Sequence, residues 1–407
     1  MHSEKNIYFD HQATTPVDER VFEAMKPYFT EKFGNPSSHI HKQGVSANQA
    51  LDMARSQVAE LVNSEPEEII FTSGATESNN LAIRGFLKAN PEKGKHLIIS
   101  EIEHYSILNL AIKLKDEGYR ITMLKVKNGG LVDPQDVAAA IEPDTALISI
   151  NLANSEIGTI QPIAEIAKIA QEKSVFFHTD GAIAVGNIPV DVRQLGVDAM
   201  TISAHNYYGP KGVGALYLKA GTRLASLFEG GFQEMGYRSG TENLPGIVGM
   251  GKASELAKAE IPQRNQHLSK LGRKLWEGLA EKVEYLNFTG HSEQRLPGHV
   301  SFWIKYIEGE SLLLMLNIKG VMAASGSACS SNLRGEDEED LAASHVLTAI
   351  GVPAEFCSGS LTLSLGKDNT GEEVDYLLEI IPEVVEKLLM MSPLYADKLR
   401  GNDPYSK

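Results

Sequence analysis

The sequence predicts an α/β fold: a large domain on a mostly parallel seven-stranded sheet, followed by a smaller α+β domain. Three observations predict it. Short β-rich runs recur along the first 220 residues. The pieces between them carry apolar residues at helical spacing. From about residue 262 the alternation gives way to a different texture.

The runs are EIIFTSG (68–74), HLIIS (96–100), ITMLKV (121–126), TALISINL (145–152), SVFFHTD (174–180), DAMTISA (198–204) and VGALYL (213–218). Connecting stretches such as ATESNNLAIRGFLKA and QPIAEIAKIAQEK read as helices, which places the large domain at residues 16–260. Beyond it the order is a helix (268–283), strand HVSFWI (299–304), a helix with SLLLMLNIKG, and a Gly- and Ser-rich loop at 325–332. A helix ending near Gly351, a strand near 360–365 and a final helix at 371–388 follow. Residues 1–15 and 261–390 are assigned to the small domain, and 391–407 to a C-terminal tail. EDEED (336–340) reads as a solvated helix start, because it lacks the alternating ligand spacing of a calcium loop.

With 407 residues, 42% of them hydrophobic and 22% charged, the chain has the make-up of a globular protein with room for two domains. A net charge of −15 argues against a nucleic-acid partner, since phosphate contacts need clustered Lys and Arg. No apolar stretch reaches the length of a signal peptide or membrane span, so a cytoplasmic location without a membrane partner is expected. Two cysteines, Cys329 and Cys357, are too few for a disulfide framework.

Chemistry concentrates at strand ends. TSGATESNN (72–80) follows an apolar strand and opens a helix. Its small residues let backbone N–H groups approach an anion, and the Thr76 hydroxyl adds a donor. A tight strand–helix turn with a capping hydroxyl is the alternative. His104 lies just past strand 96–100, Asp180 ends strand 174–180 and His205 ends strand 198–204. Ligands of open α/β sheets collect outside the carboxyl ends of the strands. The three side chains could therefore supply a ring to stack on a cofactor, a carboxylate to hold a ring nitrogen protonated, and a phosphate donor. A zinc reading of the same three has no short-range metal motif behind it. Cys329, in SGSACSSN (325–332), sits in a polar loop where a thiolate would be reachable; Cys357, in AEFCSGS, reads as core filler.

These segments resemble the cysteine desulfurases of the class V aminotransferase family, the group that supplies sulfur for iron–sulfur clusters and thiolated tRNA. YFDHQATTPVDERV, FGNPSSHIHKQG, EIIFTSGATESNN, EIEHYSI, NSEIGTIQPI, HTDGAIAVGNIPVD, ISAHNYYGPKGVGALYL, RSGTEN, SGSACSS and SHVLTAIG carry the likeness in order and spacing. The resemblance implies a fold-type I homodimer binding pyridoxal phosphate near the subunit interface, with a lysine holding the cofactor as an imine and a loop cysteine carrying sulfur as persulfide. It also implies Thr76 as a phosphate ligand, His104 as the stacking acid–base group and Asp180 as the partner of the ring nitrogen. Ser203 and His205 fall on the phosphate side, Thr241 reaches the neighbouring subunit's phosphate, and Cys329 is the persulfide cysteine.

The departures lie at the chemistry. Asn206 stands where the family has its Schiff-base lysine, and an amide nitrogen is neither basic nor nucleophilic. Lys211 is no substitute, because the family also has a lysine at that point of GPKG. Ile183 replaces a glutamine donor, Ser155 an asparagine, and Thr362 the arginine that clamps the substrate carboxylate. A substitution made only to trap a ligand would leave the glutamine and arginine in place. The expected protein holds its cofactor non-covalently and lacks ordinary L-cysteine desulfuration. It uses Cys329 as a persulfide carrier or transient cluster ligand with an iron–sulfur scaffold or sulfur-acceptor partner. A repurposed enzyme acting on a different substrate and an inactive partner-binding scaffold are the alternatives.

Overall fold

A computed structural model describes residues 6–127, 129–326, 344–357 and 360–402. The persulfide candidate Cys329 and the acidic run 336–340 lie outside the described residues.

The first strand, β1 (Ile7–Tyr8), belongs to the second layer, and the next seven form one sheet. They are β2 (Ile69–Thr72), β3 (His96–Ser100), β4 (Arg120–Leu124), β5 (Thr145–Ser149), β6 (Phe176–Asp180), β7 (Ala199–Ser203) and β8 (Gly214–Leu218). All seven coincide with the β-rich runs of the sequence. Their order is β2-β8-β7-β6-β5-β3-β4, parallel except for β8. The reversal has a simple cause: only residues 204–213 separate β7 from β8. A parallel return needs a crossover of a dozen residues or more. Six of the strands are buried along their whole length, whereas β4, at the sheet edge, is half-exposed.

The second layer is smaller. β9 (Leu286–Phe288), β10 (His299–Ile304) and β12 (Ser360–Ser364) form an antiparallel sheet, while β1 pairs in parallel with β11 (Val321–Met322). That pairing ties the first residues of the chain to the C-terminal layer. Phe302, Leu361, Leu363 and Val384 fill its core.

Two helices differ from expectation. The helix expected at 268–283 begins at Leu244 and runs unbroken to Lys282, through residue 261 and through Pro262. Tight packing on the helix Lys42–Val62 outweighs the loss of one N–H: a Cβ on Gly251 would come within 2.7 Å of the Ala54 backbone. The stretch expected as a tail from 391 instead forms a helix, Pro393–Leu399, capped by the Ser392 hydroxyl. Among the described residues, no helix is long and apolar enough to cross a membrane.

One buried ion pair locks the large domain. Glu234 takes both Arg55 guanidinium nitrogens at 2.7 Å and the Phe71 N–H of β2 at 2.7 Å. Its side chain is 2% exposed, and its backbone sits at φ 47°. Glu234→Ala is expected to cost about 3–5 kcal/mol in urea unfolding, because a buried guanidinium loses its carboxylate, keeping only the Ile69 carbonyl, and a backbone donor is left unpaired. A loss below about 1 kcal/mol would contradict that reading of the pair.

Candidate active site

Parallel strands that end side by side leave a crevice at their carboxyl edge. Here that crevice opens into a cavity of about 540 Å³. Thr76, His104, Ser155, Asp180, Ser203, His205 and Asn206 all line it, together with Ile183 and Lys211. They come from separate strand ends and the loops after them, as the sequence reading expects.

The β2 end is shaped by Gly74, at φ 150° and ψ −178°, a conformation that is in practice restricted to glycine. It turns the strand into the helix Ala75–Asn80, placing Thr76 on the cavity wall. Thr72 Oγ1 and Ser78 Oγ brace the turn at 2.8 Å. Beside it, Ser203 ends β7. Its Oγ is buried without a hydrogen-bond partner among the described residues. His205 Nδ1 lies 3.2 Å from Thr14 Oγ1, and burial, with Lys211 nearby, lowers its pKa. Hydroxyls, an imidazole and Lys211 give this end the donors an anion needs.

A chain of hydrogen bonds crosses the cavity floor. His104 caps the helix Tyr105–Asp116, accepting the Ser106 N–H at Nδ1 (3.1 Å) and lying 2.8 Å from Ser106 Oγ. Asn79 Nδ2 donates to Ser106 Oγ (2.8 Å) and to Asp180 Oδ2 (2.7 Å). Asp180 Oδ1 takes the Ala182 N–H at 3.0 Å. The imidazole and the carboxylate are thereby held in fixed relation by Asn79, a residue absent from the sequence-based list. These groups could hold a phosphorylated aromatic ring between an anion end and a carboxylate.

At position 206 the amide Nδ2 donates to the Gln12 carbonyl at 3.1 Å, and the backbone carbonyl accepts from Asn187 Nδ2 at 3.0 Å. Lys211 Nζ reaches the Thr15 carbonyl at 3.4 Å. Among the described residues, Lys211 is the sole lysine or arginine on the cavity wall. Thr362 does not reach the wall. Its hydroxyl donates to the Glu156 carbonyl at 3.1 Å, behind the cavity. The Ser155 carbonyl lies 2.8 Å from His299 Nε2, leaving that residue's hydroxyl as its free polar group. Thr241 is exposed in the loop before the long helix and does not line this chain's own cavity. Cys357 is buried, lying 3.7 Å from the Thr348 hydroxyl.

Several wall residues were not singled out from sequence. Glu103 is fully buried; Ser100 Oγ donates to its Oε1 at 2.5 Å, and burial pushes its pKa up to about 8, with the Asp180 charge adding. Glu156 is likewise buried and raised, its Oε2 taking the Ser344 hydroxyl at 2.5 Å. His345 Nε2 meets the Glu103 carbonyl at 3.0 Å. All three lie inside the motifs EIEH, NSEIG and SHVL; burial marks out the two glutamates, and the contact with Glu103 marks out the half-buried His345. Among the described residues, no three His, Cys, Asp or Glu side chains converge as metal ligands.

A model of the class V aminotransferases matches residues 7–377, spanning both layers and the cavity. The chain belongs to the class V aminotransferase family. Within this family it is similar to cysteine desulfurases. It is 50% identical over 396 residues to the cysteine desulfurase IscS of Methanosarcina thermophila, covering 97% of this chain and 96% of that one. Identity is 47% over 388 residues to cysteine desulfurase IscS 1 of Archaeoglobus fulgidus, covering 95% and 99%. Among solved structures, a NifS-like protein superposes with a TM-score of 0.86 at 36% identity, covering 94% of this chain and all of that one. The NifS-like protein of Rickettsia africae superposes at 0.83 with 32% identity, covering 94% and 99%. Pyridoxal phosphate is the cofactor of these class V enzymes.

Proposed function

We propose that this class V protein serves sulfur transfer or iron–sulfur cluster assembly, and that it holds pyridoxal phosphate without a covalent bond and does not carry out ordinary L-cysteine desulfuration. The observation that carries the reading is Asn206, an amide bound to the Gln12 carbonyl in the cavity wall where the family has a lysine. The rest of the wall fits the cofactor. The unpartnered Ser203 Oγ, with Thr76 and His205, suits a phosphate; Asp180 suits a protonated ring nitrogen, and His104 a stacked ring. Bound there, the cofactor supplies an electron sink for bonds broken at the α-carbon of an amino acid. The chain's own residues bind and orient it, but among the described wall residues the one lysine, Lys211, is held at the Thr15 carbonyl, and position 206 offers no amine to move a proton at that carbon.

In this reading Cys329 carries the sulfur. Its thiolate takes the terminal sulfur from a persulfide on a donor protein, whose own thiolate leaves, and passes it to a scaffold or acceptor. Alternatively, the same thiolate ligates a cluster transiently. The working unit is a homodimer in the cytoplasm, with Thr241 lent to the partner's phosphate site.

A second reading, a repurposed enzyme, draws support from Ile183 and Thr362, which alter the pocket beyond Asn206. Cys329→Ala and Asn206→Ala variants separate the two in a sulfur- or cluster-delivery assay with a scaffold protein. Delivery lost with Cys329→Ala and kept with Asn206→Ala is the expected result. Delivery that survives without Cys329, alongside amine turnover that needs His104, would favour the repurposed enzyme. Scaffold binding without any delivery would leave only a docking platform.

A further inference from the structure

The two ends of the cavity differ in hydrogen-bonding sense. Ser203, His205 and Lys211 put donors at one end. Elsewhere the wall presents acceptors and carboxyls. Asn206 has its Nδ2 engaged by Gln12, and its Oδ1 accepts nothing among the described residues. Asn151 Oδ1 is buried and unpartnered. Glu103 and Glu156 are 0% and 4% exposed, with hydroxyl donors from Ser100 and Ser344, and the sole lysine of the described wall, Lys211, sits at the Thr15 carbonyl. An aldehyde oxygen only accepts hydrogen bonds, so it gains nothing from such a wall. A protonated primary amine donates three.

We propose that this cavity selects a phosphorylated primary amine, the pyridoxamine form of the cofactor over the aldehyde form, with the Asn206 amide oxygen as the selecting group. The inference rests on the reading of the cavity as a vitamin B6 phosphate site. Burial without a countercharge is what raises the Glu103 and Glu156 carboxyls, and an ammonium group in the same cavity offsets that cost. A lysine at position 206 would reverse the selection, by condensing with the aldehyde with loss of water and by repelling an ammonium ion.

The test is equilibrium dialysis of the native protein, first stripped of ligand, against pyridoxamine phosphate and pyridoxal phosphate separately. The amine is expected to bind at least about tenfold more tightly. In Asn206→Lys the order should invert, with pyridoxal phosphate retained as a mass gain after borohydride. In Asn206→Leu, similar in size but without the amide oxygen, the ratio should fall to about threefold or less. Circular dichroism of each variant checks the fold, and the native ratio decides the matter if either variant fails to fold. Equal or tighter binding of the aldehyde form by native protein overturns the inference while the cofactor-site reading stands. Binding of neither compound at millimolar concentration overturns both.

Discussion

Purified protein given pyridoxal phosphate and L-cysteine is expected to release alanine at least about 10³-fold more slowly than a lysine-bearing desulfurase, within the range by which general acid–base groups accelerate proton transfer. The physical basis is the wall at position 206. An amide neither forms the covalent link nor moves the α-proton, and its nitrogen already donates to Gln12. Lys211 lies on the wall, but its ammonium group is held at the Thr15 carbonyl. Asn206→Lys alone should restore covalent capture of the cofactor without restoring normal turnover. Thr362, where the family has its carboxylate clamp, faces the Glu156 carbonyl and leaves the substrate without a bidentate partner. Adding Thr362→Arg should then lower KM by about 10- to 100-fold, the worth of a charge-assisted pair. Alanine release by the native protein at the rate of a lysine-bearing enzyme would sink the reading. Full recovery by Asn206→Lys alone would show that the carboxylate end is not impaired.

Stability should fall as pH rises from about 5 to 8, and Glu103 should account for much of the fall. Its carboxyl is pushed up from 4.5 to about 8, first by burial and then by the Asp180 charge. In the unfolded chain it ionises near its ordinary value. Between the two values the folded state therefore holds one more proton than the unfolded state, and each pH step upward favours unfolding. The loss, on the order of 3–5 kcal/mol, is complete above pH 8 and absent below pH 4. Glu103→Gln keeps the shape and supplies a permanent donor in place of the acid proton, so its unfolding free energy should fall less steeply over this window than that of the native protein. Urea midpoints measured at pH 5, 6.5 and 8 check it. A slope unchanged in Glu103→Gln would assign the pH dependence to other groups.

The strands of the large sheet were readable because each is a short β-rich run, six of them apolar and covered on both faces, and local sequence contains that information. Gathering Thr76, His104, Asp180 and His205 at one edge was also readable, since parallel strands bring their carboxyl ends together, whereas Ser203 was implied by the family resemblance. The absence of a nucleophilic amine at position 206 follows from residue identity alone. The change of texture near residue 262 does not end the long helix, because packing against a distant helix carries it through Pro262. Glu103, Glu156 and Asn151 went unremarked because their importance lies in burial, and His345 because its importance lies in a contact with Glu103, both properties of the packed chain.

By itself, then, the sequence determined the sheet, the family and the loss of the lysine. The tertiary structure alone decided what the replacements do. Asn206 meets Gln12 across a gap of 194 positions and Thr362 meets Glu156 across 206. Partners so far apart in the chain are set by how the layers pack, and that packing leaves the cavity lined with acceptors and carboxyls.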